Sequence, residues 1–151
     1  MKAPGWPGAT EDGFAGGLAG LLFGFLIFVL GTLLIGYAWA VVQTKAAVVD
    51  AARQAARTYV EAPDALDAYD SARAAADTSL SAKGRDPRKA SLQLSTGPFG
   101  RCARITATVA YPAPVLLLPL SNLLGASTVK AEHSELVDPY RSGLPGSAAC
   151  R

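Results

Sequence analysis

Histidine occurs once in this 151-residue chain, methionine once and cysteine twice. There is no CxxC or Cys/His spacing, no HExxH, no GxSxG and no phosphate-binding glycine loop. These absences exclude the common zinc frameworks and the motif-borne hydrolase and nucleotide sites. The one histidine stands in Glu132-His133-Ser134-Glu135. On a strand, His133 and Glu135 share a face, the one pairing from which a general base or metal pair is arguable. The plainer reading is a partly exposed strand residue. The net charge is only +2, and the basic residues are scattered without interleaved aromatics, so nothing points to nucleic acid. The chain is therefore expected to be no enzyme and to take no cofactor, metal or small-molecule substrate.

Charge is also missing along the chain, from residue 13 to residue 44. Roughly twenty apolar residues suffice to cross a bilayer. The run is too long for the roughly 7–15-residue core of a cleaved export signal, and no basic stretch directly precedes it. It predicts one transmembrane helix over 13–44, retained in the mature protein. Residues 1–12 contain Pro4, Gly5, Pro7 and Gly8 and are expected to be a disordered tail or leader. Within the run, small residues recur every four positions at Gly16, Gly20 and Gly24, and again at Thr32, Gly36 and Ala40. Such rows let a neighbouring helix approach closely. Each step of four overshoots a turn by about 40°, so the row wraps around the helix. Tyr37 and Trp39 suit a membrane interface.

Beyond the run, residues 41–62 lack Gly and Pro and are rich in Ala. One helix of nearly fifty residues is expected, apolar in its first half and amphipathic in its second. Pro63 ends it. A second helix is expected from Asp64 to about Ala82, with Leu66, Tyr69, Ala72, Arg73, Ala76 and Leu80 on its face and Gly84 as its stop. The period then changes to two. Strands are expected at 91–95, 102–111 and 128–137, forming a small antiparallel sheet whose inner face the Ala-rich helix covers. The fold class is thus a membrane-anchored α+β protein, with an α+β domain over 45–137 and an irregular tail over 138–151. The connection over 112–125 is unusually apolar (PAPVLLLPLSNLLG) yet too short and proline-rich to span. It packs on its own sheet, touches the bilayer, or docks on a partner. Cys102 and Cys150 form either one disulfide or two unrelated thiols.

In this order the residues resemble a known family. Gly13-Phe14 opens the apolar helix, and Ala51-Ala52-Arg53-Gln54-Ala55-Ala56-Arg57 continues it. An alternating strand ends in Tyr111-Pro112, followed by the Leu/Pro-rich connection and a last strand. This is similar to the TadE-like, pilin-like minor pilins or pseudopilins of tight-adherence (Flp-type) pili. The compositional bias and the closing Asp138-Pro139-Tyr140-Arg141-Ser142-Gly143 suggest an actinobacterial variant. The resemblance implies a role in assembling a pilus or related secretion apparatus of the cell envelope. Its partners would be the lipid bilayer and other pilin-like subunits, met through the membrane helix and the 112–125 segment. It also implies a cytoplasmic N-terminus, an exported C-terminal domain and a processing junction at Gly13-Phe14.

Two features depart from the pattern. Glu11 and Asp12 stand where a basic residue precedes the cut in pilin-type precursors, and Leu18 stands where their mature chain has Glu. In addition, Lys45, Arg53 and Arg57 crowd the far flank of the helix, which a bare positive-inside count would place in the cytoplasm. The architecture outweighs that count, because Arg53 and Arg57 lie beyond the first turns after the membrane. The alternative to the pilin-like reading is an uncleaved single-pass anchor of another envelope complex.

Overall fold

A computed structural model describes residues 12–113, 127–147 and 149–150. Most of the expected N-terminal tail (1–11) and of the apolar connection (114–126) lies outside the described residues. Helix α1 (Asp12–Glu61) is continuous over 50 residues. It includes Asp12, one residue inside the stretch expected to be disordered. The chain forms two compact units, one up to Ala38 and one from Trp39.

In the first unit only α1 is described. Leu21, Leu22, Phe23, Phe25, Leu26, Ile27 and Phe28 are all exposed. At about 100° per residue they occupy every side of the helix. The hydroxyl of Thr32 bonds back to the Phe28 carbonyl at 2.9 Å, so this polar side chain is satisfied within the helix itself.

In the second unit α1 acquires a buried face. Thr44 is its first buried side chain, with its hydroxyl 2.7 Å from the Ala40 carbonyl. Then come Ala47, Val48, Ala51, Ala52, Ala55, Ala56 and Tyr59, all in the core. They form two adjacent rows of four-residue spacing, wide enough to meet more than one neighbour. Pro63 stops the helix, and Asp64 caps α2 (Ala65–Ala82) by accepting from the Leu66 and Asp67 N–H groups at 2.9 and 3.0 Å.

Of the expected face of α2, Ala72, Ala76 and Leu80 are buried and are joined by Ala68, while Leu66 is 87% exposed and Tyr69 47% exposed. Residues 68, 72, 76 and 80 form one four-residue row, from which Leu66 and Tyr69 fall away; its mostly small side chains suit packing on the Ala-rich face of α1. Gly84, at φ 68°, ends the helix in the left-handed conformation, and the Arg85 N–H returns to the Leu80 carbonyl at 2.9 Å. A short 3₁₀ turn (Pro87–Lys89) follows in the linker. Its cap, the Asp86 carboxylate, is held below its ordinary pKa, chiefly by the Arg88 backbone N–H that it accepts.

Strands β1 (Ser91–Thr96), β2 (Arg104–Pro112) and β3 (Thr128–Leu136) form one antiparallel sheet in the order β1-β2-β3. Leu94 pairs with Ala107, which pairs with His133. Leu92, Ile105, Ala107, Val109, Tyr111 and Ala131 point into the core with the helices. The opposite face is polar, and the Thr106 and Ser134 hydroxyls bond across it at 2.8 Å. The α+β layout expected from the pattern is thus present: a long apolar-to-amphipathic helix, a second helix and a small antiparallel sheet.

The alanine seam has a measurable consequence. Ala52→Leu forces a larger side chain into a fully buried position and is expected to cost about 1–3 kcal/mol. Leu66→Ala, at an exposed position, is expected to stay within about 0.5 kcal/mol. Urea unfolding of the full chain in detergent, followed by circular dichroism, distinguishes the two.

Candidate functional site

Two regions carry features that the fold alone does not require. One is the uncovered part of α1. Gly13 and Phe14 lie within it, and Gly16, Gly20, Gly24 and Gly36 lie along its length. A Cβ built at Gly20, Gly24 or Gly36 would meet nothing within 4 Å. These glycines therefore relieve no contact in the described chain. Their space is open to something outside it.

The other region is the C-terminal tail, expected to be irregular. Its described residues form no helix or strand, yet it is fastened at several points. Cys102 and Cys150 are joined in a disulfide across a separation of 48 residues. The Arg101 N–H donates to the Pro145 carbonyl at 2.9 Å, and the Cys102 N–H to the Val137 carbonyl at 3.1 Å. A Cβ at Gly100 would stand 2.9 Å from that same Pro145 oxygen, so this approach needs glycine. Cys102 itself sits at φ 63°, a conformation rare for a side-chain-bearing residue and held here by hydrogen bonds on both sides.

The tail ends α1 electrostatically. Arg141 donates to the carbonyls of Val60, Glu61 and Ala62, the Glu61 contact being 3.1 Å. Its own carbonyl accepts from Arg101 Nε at 2.8 Å. The last carbonyls of a helix have no intrahelical partner, and Pro63 cuts off any glycine cap here. A guanidinium, with its planar fork of donors and fixed positive charge, satisfies several of them and complements the negative end of the helix dipole. Sequence reasoning missed Arg141. The available signal was indirect: a helix ending at Ala62-Pro63 without a Gly stop, and an Arg in a segment that a cysteine could tether.

His133 and Glu135 share the inner face of β3, as the alternation implies, with Nε2 and Oε1 3.0 Å apart. Glu135 also lies near Arg57, whose pKa is raised chiefly by its 2.9 Å hydrogen bond to Glu61. The cavity beside this pair, lined by Arg104, Ser134, Glu135 and Leu136, measures about 150 Å³. A wider, open groove of about 450 Å³ runs along α1 and α2, lined by Gln54, Ala74, Ala75, Thr78, Ser79 and Ala82. It contains no titratable group. Among the described residues, no three His, Cys, Asp or Glu side chains converge on one point. Pro112 closes β2, and the Ala113 N–H donates to the Ser127 carbonyl at 2.9 Å. The two ends of the 112–125 connection are thereby drawn together, while its body lies outside the described residues.

Compared with protein-family models, curated proteins and solved structures, the chain matches none. Its function is therefore argued from its own residues.

The tail contacts predict two effects on stability. Arg141→Ala leaves orphaned carbonyls at the end of α1 and is expected to cost about 2 kcal/mol, with Arg141→Lys recovering only part. Opening the Cys102–Cys150 loop by Cys150→Ser is expected to cost up to about 4 kcal/mol in the chain-entropy account. Both are read from the urea midpoint against the oxidised wild type, the reduced wild type being expected to match Cys150→Ser.

Proposed function

We propose that the protein is a bitopic, pilin-like envelope subunit of the TadE-like kind. On this reading α1 is anchored in a membrane with its N-terminus cytoplasmic, and the unit from Trp39 onward is exported. It acts by assembly rather than catalysis. One observation carries the reading. The described chain contains one helix long and apolar enough to cross a membrane, and the apolar window of that helix has none of its surface buried. Side chains such as Leu21, Phe25 and Ile35, which are 74%, 66% and 73% exposed, need lipid or other helices around them. The folded unit beside them covers its own core.

The pilin-like form is supported by continuity. The same helix that offers lipid-facing side chains goes on, unbroken, to supply the alanine rows of the core. The open positions at Gly20, Gly24 and Gly36 suit lateral packing against another subunit's helix. The disulfide supports an oxidising, exported location. The second reading, an uncleaved anchor of another envelope complex, is favoured by the departures at the junction. Glu11, Asp12 and Leu18 are not the residues that pilin-type processing uses, and the Gly13–Phe14 bond lies within α1.

Two measurements separate these readings. A Leu66→Cys variant, at an exposed position, is expected to react with a membrane-impermeant maleimide in intact cells. Reaction only after lysis overturns the exported orientation. Intact-mass analysis of the membrane-extracted protein then reads the N-terminus. Loss of residues 1–13 supports pilin-type processing, and a full-length start supports the uncleaved anchor.

A further inference from the structure

We propose that the end of the folded unit where α1 enters it, at Trp39, is a docking surface for anionic lipid headgroups; this rests on the reading of α1 as a bilayer anchor. Contacts along α1 define that end. At 1.5 Å per residue, Lys45 stands about 9 Å along the axis from Trp39, and Asp50 about 17 Å. The Lys45 ammonium donates to the carbonyl of Lys130, which brings the start of β3 to this level. Asp50 pairs with Lys83 at 3.1 Å, which brings the end of α2 to the next level. From Lys83 the chain turns through Gly84 and the 3₁₀ turn to Ser91, whose strand partner is Ala110, itself paired with Lys130. The register therefore gathers Lys45, Lys83, Arg85, Arg88, Lys89 and Lys130 at one end of the unit.

Of the acids at this end, Asp50 and Asp86 are engaged by Lys83 and Arg88, and Glu132 stands two residues along β3 from Lys130. Lys45, Lys89 and Lys130 are exposed, and this end keeps an excess of cations. The far end is built differently. Glu61, Asp64, Asp67, Glu135 and Asp138 gather there with Arg57, Arg101, Arg104 and Arg141, of which Arg57 and Arg141 are bound to Glu61 and to helix carbonyls. A chain with little net charge thus places its surplus of cations at the Trp39 end of this unit. Trp39, 65% exposed at that point, suits the headgroup level.

Lysine and arginine within about 10 Å of an anionic bilayer are attracted to it, and their flexible stems let the charges reach headgroup phosphates. A phospholipid surface, broad and negatively charged, is the partner that this arrangement of cations complements.

The test uses the full oxidised chain in nanodiscs of phosphatidylcholine, alone or mixed with phosphatidylglycerol. Lysine acetylation rates are read by mass spectrometry. Lys89 and Lys130 are expected to react at least about threefold more slowly in the anionic discs, and added salt is expected to restore the rate. The variant Lys89→Gln, at an exposed cation, is expected to weaken the protection of Lys130 while leaving the urea midpoint unchanged. Incorporation into both kinds of disc with equal lysine rates overturns this inference and leaves the anchor reading standing. Failure to enter either disc overturns both.

Discussion

The alanine face of α1 is the constraint on which the folded unit depends. From Ala47 to Tyr59 the helix presents two rows of mostly one-carbon side chains, and such rows are stable only if other backbones come very close. The helix α2 answers with a matching ridge of Ala68, Ala72, Ala76 and Leu80, and the sheet contributes Ile105, Ala107 and Val109. Because each alanine buries little area, the stability of the core comes from closeness of approach rather than from bulk. Leu66 and Tyr69 of α2 lie outside this seam, and Leu80 fills the end of its row.

A core of this kind has little reserve, and the C-terminal tail adds constraints that burial does not supply. The disulfide shortens the unfolded chain's loop by tying Cys150 to the turn before β2. It holds in place a segment with no regular structure, so that Arg141 reaches the last carbonyls of α1. The end of the long helix, the turn at 100–102 and the tail thus form one clasp, closed by a covalent bond at one point and a guanidinium at another.

Along α1 the surroundings of the side chains change. From Leu21 to Phe28 the large side chains are apolar and exposed; from Thr44 onward one face is buried. Trp39 stands between these stretches, and Lys45 follows Thr44 directly. The proposed assembly role rests on this division, because the first stretch needs an environment that the described residues do not provide. The second stretch offers a self-contained unit with a polar outer sheet face.

Much of this was legible in the sequence. The absence of charge over 13–44, the lack of Gly and Pro through residue 62, Pro63, and the period-two runs determined the helices and strands, because local sterics and periodicity act over a few residues. They also placed His133 and Glu135 on one face. Other features were decided only by the tertiary structure, since they depend on groups far apart in sequence. The seam of α2 was set by the partner helix, not by which of its residues are most apolar. Arg141 became a helix cap only because residues 60–62 lie beside a tethered tail. The gathering of Lys45, Lys83 and Lys130 at one end required the strand register and the Asp50–Lys83 pair. Scattered through the chain, those cations carry no signal; the fold brings them together.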